Sequence, residues 1–202
     1  MRRRTTLSAA ILAAAVLMLG LLAPVGASAS VHSRVAVRGG NTTLTTAPGL
    51  VTKLLGAKIV ALVTAPGTQT LVGVPVAPRL VATYPVAGGN VTPTPLRGAV
   101  AHRGGLFITN VSNGKSVAVN NFVINLNTRT LTAHIVGTTL RVPVFSLNLS
   151  HRLVTVRPRF IAVSRIGVSL LASAAGLLNG ALGTTAFKGG MLFGTASSRL
   201  NR

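Results

Sequence analysis

The sequence predicts a mainly β fold, an antiparallel, β-sandwich-like single domain carrying two short α-helices, and three observations predict it. From Val100 to Leu149, short runs of Val, Ile, Leu and Phe are broken by Arg103-Gly104-Gly105, Ser112-Asn113-Gly114, Asn127-Thr128-Arg129 and Val136-Gly137-Thr138. That spacing of roughly ten residues per strand belongs to antiparallel strands joined by tight turns. Two stretches toward the ends of the domain carry helix start and stop residues instead. Finally, the chain has no Cys and is 49% apolar, so it must hold together by burying one sizeable core.

In chain order, residues 1–29 read as a secretory signal. Met1-Arg2-Arg3-Arg4 is positive, Ala9 through Ala23 is apolar or small, Pro24 breaks the run, and Ala27-Ser28-Ala29 fits the A-x-A cleavage pattern. The apolar run is shorter than the roughly 20 residues that span a bilayer, so cleavage is expected, leaving a domain over 30–202. No later stretch is long enough for a transmembrane helix, so none is expected in the mature chain.

The helices come from an internal echo. Leu44 to Gly56 aligns without gaps on Leu171 to Gly183, with six of thirteen positions identical. Each copy offers a hydroxyl residue, Thr46 or Ser173, for the N-cap, then an apolar stripe, then Gly56 or Gly183 for the left-handed position past the end. A strand is expected after the first helix, from Lys58 to Val63. Val72 to Pro95, with five prolines and Gly88-Gly89, reads as a connector feeding the central sheet. Between Lys115 and Leu126 the apolar face switches partway, which predicts a bulge near Asn120-Asn121. Pro143 predicts an edge or a fresh strand start.

Charge sets the function classes. None of the 202 residues is Asp or Glu, against 16 Arg and 4 Lys, for a formal charge of +20. An ordinary globular chain of this length carries roughly 25 carboxylates. Paired-carboxylate catalysis, the acidic member of a hydrolase triad and carboxylate ligands for calcium or magnesium are therefore all excluded. No two of His32, His102, His134 and His151 have helical i, i+4 spacing, so no zinc pair is signalled. With no nucleophile elbow and no phosphate-cradling Gly motif either, the reading is of a protein that is not an enzyme and holds no metal.

The cations point to anionic partners. Arg157, Arg159 and Arg165 would share one side of a strand if the run from His151 to Arg165 is unbroken, and with Arg152 they make a candidate polyanion-binding stripe. Guanidinium forks match phosphate, sulfate and carboxylate oxygens, so anionic envelope polymers are the expected partners. Specific nucleic-acid recognition is not expected, because aromatics are 3% of the chain and stacking platforms need them. A chain without side-chain carboxylates also escapes the usual cause of acid unfolding, and a flat stability profile in acid is expected. Tyr84, before a proline, is expected to pack at a strand end, and His102, before Arg103-Gly104-Gly105, to sit exposed by a turn.

Tyr84-Pro85-Val86-Ala87-Gly88-Gly89-Asn90-Val91, then Leu96-Arg97-Gly98-Ala99-Val100-Ala101-His102-Arg103-Gly104-Gly105-Leu106, resemble the central region of the HtaA domain of exported actinobacterial proteins. So do Val119-Asn120-Asn121-Phe122-Val123-Ile124-Asn125 and Leu131-Thr132-Ala133, and the resemblance extends to Phe145. It implies a β-rich fold, a secreted or cell-surface location and, as an alternative function, haem binding through a tyrosine supported by a histidine. Tyr84 and His102 are then the candidates. This chain has no Trp and no counterpart of the Trp-Gly-rich segment that carries the family's ligand tyrosine. Related small exported proteins read Asp-Phe-x-Ile-Asp where this chain has Asn121-Phe122-Val123-Ile124-Asn125, so acidity is removed while shape is kept.

Overall fold

The computed structural model describes residues 33–202; residues 1–29, read from sequence as a secretory signal, lie outside the described residues. Thirteen strands and two helices follow in the order β1 (Val35–Val37), β2 (Gly39–Thr46), α1 (Leu50–Gly56), β3 (Ile59–Thr64), β4 (Thr68–Val72), β5 (Arg79–Pro93), β6 (Leu96–His102), β7 (Gly105–Asn110), β8 (Ser116–Asn125), β9 (Thr130–Ile135), β10 (Arg141–Asn148), β11 (Leu153–Arg157), β12 (Phe160–Leu170), α2 (Ala172–Leu182) and β13 (Leu192–Asn201). Each predicted turn between Val100 and Leu149 separates two of these strands.

The sheet is a barrel, where a sandwich was expected. Strand β6 pairs with β5 on one edge and β8 on the other, so the path β5-β2-β13-β12-β10-β9-β8-β6 returns to β5 and eight antiparallel strands close. Closure gives each of these eight strands a neighbour on both sides. Glycines permit the close seam: a Cβ at Gly98, φ +115°, would run into the Asn90 carbonyl, and one at Gly89 into that of Ala99.

Long strands change partner partway, and each exchange is marked by an irregular residue. Strand β8 pairs with β7 through Ser116–Asn120 and with β6 through Val123–Asn125, and the bulge expected at Asn120-Asn121 falls between, with Asn121 at φ +51°. Along one edge of β5, β4 covers Arg79–Thr83 and β6 begins at Val86. Pro85, with no N–H to give, stands between them. Val72 to Pro95 is therefore no connector: it holds β5, the longest strand, whose proline and glycines serve the exchange. Pro143 likewise lies in β10 just before pairing with β12 begins at Phe145.

Both helices exist, with different caps from those expected. Thr46 ends β2 and its Oγ1 accepts the Leu80 N–H at 2.8 Å, so α1 waits for Gly49, which caps it at φ +76°, and Gly56 is its last helical residue. Ser173 lies inside α2, whose cap is the extended Leu171, while Gly183 closes it in the left-handed conformation as expected. Asn110 and Asn113 donate side-chain N–H groups to the Leu182 carbonyl, each at 3.0 Å, tying α2 to the β7–β8 turn. The core runs through the barrel, with Val91, Ala133, Ile161 and Leu182 fully enclosed.

Candidate functional site

The barrel interior is not filled. A cavity of about 340 Å³ lies inside it, beneath α1 and strands β3 and β4. Leu44, Ala82, Ile124, Leu131, Leu147, Val168, Phe193 and Ala196 line its wall from the barrel strands, and Leu50, Val51, Leu54 and Leu55 cover it from α1. Inward alternation along each strand delivers these side chains to one space. Leu55 and Leu71 line the cavity while about half exposed, which places its mouth between α1 and β4.

One polar cluster interrupts the apolar wall. Ser198 of β13 is registered opposite Thr42 of β2, and Thr42 opposite Tyr84 of β5, so three polar residues form a row across neighbouring strands. The Thr42 hydroxyl lies 2.8 Å from Ser198 Oγ and 2.7 Å from His102 Nε2. All four residues are buried. His102 is therefore not the exposed turn residue that its sequence setting implied; it is the last residue of β6 and points inward. Tyr84 lies within β5, not at its end, with its ring edge-on to Phe122 at 5.1 Å.

Burial fixes the ionisation of both aromatic groups. Desolvation pulls the His102 pKa down to about 4, against a smaller opposing pull from the nearby carbonyls of Phe122 and Val100. Neither carbonyl makes a hydrogen bond to Nδ1, which is buried without a partner. The imidazole is neutral at physiological pH. Desolvation likewise pushes the Tyr84 phenol up, so it stays protonated.

No Lys or Arg lines the cavity to meet haem carboxylates, and Thr42 occupies the His102 Nε2 that would otherwise support a ligand tyrosine. Tyr84 and His102 are thus brought to one cavity, but the residues present do not fit a haem site of that kind. Among the described residues, no group of three potential His, Cys, Asp or Glu ligands is assembled for a metal ion.

The four arginines of the expected stripe are dispersed. The run from His151 to Arg165 is broken by a hairpin: Arg157 ends β11, Arg159 sits in the turn, and Phe160 begins β12 opposite Arg157. Arg165 stands at φ +60° where β12 passes from β11 to β10, which re-aims its side chain. Arg152 lies before β11, its guanidinium donating to the Leu149 carbonyl at 2.9 Å. A different arginine group forms instead. The Arg202 N–H donates to the Arg159 carbonyl and its guanidinium to that of Arg157, the Arg38 N–H donates to Asn201, and the Arg199 guanidinium stacks 3.8 Å above the Phe160 ring. Five exposed cations, Arg38, Arg157, Arg159, Arg199 and Arg202, thus gather at one corner. From there β2 runs seven residues to the α1 end, about 23 Å at strand rise.

Thr42, Ser198 and this corner were missed from sequence. Thr42 and Ser198 each sit in a strand rich in small polar residues, with nothing to mark which hydroxyl turns inward, and the corner joins segments about 160 residues apart.

No protein-family model matches the chain, and no curated protein matches it. Among solved structures, its fold is similar to that of the crystal structure of the C-terminal domain of HtaA from Corynebacterium glutamicum, with a TM-score of 0.56 at 15% identity, over 82% of this chain and 98% of that one. The likeness is one of fold, and its HtaA-like β architecture is what the sequence resemblance implied.

Proposed function

We propose that this protein is an exported, non-enzymatic binding protein of the cell envelope whose barrel holds a predominantly apolar small molecule. The cavity carries this reading. Its size lies within the range of ligand pockets, and its wall combines many apolar side chains with a few convergent polar groups. The polar side chains of Thr42, Tyr84 and His102 interrupt that wall on one side. Hydrolysis is disfavoured by the same cluster: a buried hydroxyl beside an imidazole lacks an acidic orienter, and this chain has no carboxylate side chain to supply one. The secretory signal at 1–29 supports a secreted or cell-surface location.

Parallel titration with an apolar fluorescent amine, N-phenyl-1-naphthylamine, and with hemin tests the reading. Saturable binding of the amine at one site per chain, with no sharpened Soret band for hemin, is the expected pair of results. A Soret band that vanishes on Tyr84→Ala or His102→Ala would replace the apolar ligand by haem, the alternative that the HtaA resemblance implies.

A second reading rests on the arginine corner. Five guanidiniums with no carboxylate side chain among them favour association with anionic envelope polymers, and the Phe160 ring holds one of them in place. This partner class is the one expected from composition, on a different set of residues.

A further inference from the structure

We propose that the mouth of the cavity is a docking surface for an anionic lipid bilayer, an inference that rests on the apolar-ligand reading above. The mouth is rimmed by apolar side chains that the fold leaves in water. Leu55 of α1 is 54% exposed and Leu71 of β4 is 50% exposed, and the loop that follows β4 presents Val74 at 60% and Val76 at 92%. The first two also line the cavity, so its apolar wall continues outward onto the surface and along the loop.

The backbone of that loop suits a poorly hydrated environment. Pro75 and Pro78 have no N–H to desolvate, and the Ala77 N–H donates to the Gly73 carbonyl at 2.8 Å. Fewer donors are then left to lose water on entering a headgroup layer. Exposed cations flank the same elements: Lys53 on α1, Lys58 just after it, and Arg79 opposite Val72 in the β4–β5 register. Apolar insertion joined to basic residues is the two-signal arrangement that holds proteins at anionic membranes. A second copy of this chain is the poorer occupant, since it would bring the same cations and no side-chain carboxylate to meet them. Docked by this rim, the cavity would open toward the bilayer and exchange an apolar ligand without passing it through water.

The test is sedimentation of the exported protein, recovered from an expressing bacterium, with vesicles of equal parts phosphatidylglycerol and phosphatidylcholine and with phosphatidylcholine alone. The expected result is salt-sensitive binding to the anionic vesicles only, weakened about tenfold by Val74→Ser with Val76→Ser and unchanged by Arg157→Gln with Arg159→Gln. Equal binding by the valine variant, loss confined to the arginine variant, or a valine effect on oligomer size instead of vesicle binding would each overturn it. Binding of the fluorescent amine in the absence of vesicles separates the two readings. If that binding persists while vesicles are ignored, docking falls and the cavity stands; if the amine does not bind, the cavity reading falls by itself.

Discussion

Thr42 Oγ1 and His102 Nε2 lie 2.7 Å apart inside the barrel, on strands sixty residues apart in sequence. The same hydroxyl reaches Ser198, so one threonine joins β2, β6 and β13 through a buried polar contact. Buried groups of this kind cost little when partnered and a great deal when orphaned.

Replacing Thr42 by Val should therefore destabilise the protein by ~2 kcal/mol, since His102 Nε2 and Ser198 lose a partner together. Thr42→Ser should recover most of that loss. Urea midpoints of the two variants at pH 7.5 check both statements.

His102 gives the fold a pH dependence that its composition conceals. Its pKa is about 4 in the folded chain against the ordinary 6.5, so between those values the unfolded chain takes up more proton than the folded one. Stability then falls as pH drops from 6.5 to 4, by about 3 kcal/mol, and levels off below. With His102 taken into account, a slope that stops near pH 4 is predicted in place of the flat acid profile expected from the missing carboxylates. Urea midpoints between pH 8 and pH 3 should trace this shape, and His102→Asn should remove the slope; a slope that persists in that variant would reject His102 as its source.

The seam of the barrel depends on Gly98. Its φ of +115° and the closeness of the Asn90 carbonyl leave no room for a Cβ, so Gly98→Ala should cost at least ~2 kcal/mol, read as a lowered urea midpoint. Gly176→Ala, in α2 with open space around it, should be neutral or stabilising.

The arginine corner predicts a position-specific response to polyanions. Arg157→Gln with Arg159→Gln should weaken retention on an anionic envelope polymer and flatten its salt dependence. Arg97→Gln in β6 with Arg129→Gln in the β8–β9 turn, which removes the same charge from other exposed positions, should change it little. Equal losses from the two pairs would reduce the corner to net charge.

Much of this fold was legible where chemistry is local. The turns bounding β6 through β10 were written in Gly and Asn, and the Asn121 bulge in a change of apolar face. Asn125 shows shape surviving without acidity: its side-chain oxygen accepts the N–H groups of Asn127 at 3.0 Å and Thr128 at 3.2 Å, a role that needs an acceptor but no charge. What escaped was relational. Pro85 and Arg165 mark partner exchanges, and their meaning depends on which strands lie alongside. The choice between sandwich and barrel turned on β6 finding both β5 and β8. The cavity arose from inward side chains of strands that no single stretch brings together, although Tyr84 and His102, singled out for another reason, both line it.

A barrel that holds an apolar ligand should bind N-phenyl-1-naphthylamine in the native protein and not in Ala61→Phe, whose added ring would occupy part of the cavity that Ala61 lines. Titration should give saturable fluorescence enhancement at one site per chain in the native protein and its loss in the variant, with the urea midpoint of the variant close to native. Enhancement that is absent, or that is identical in a folded variant, would contradict the reading of the barrel as a container for an apolar ligand.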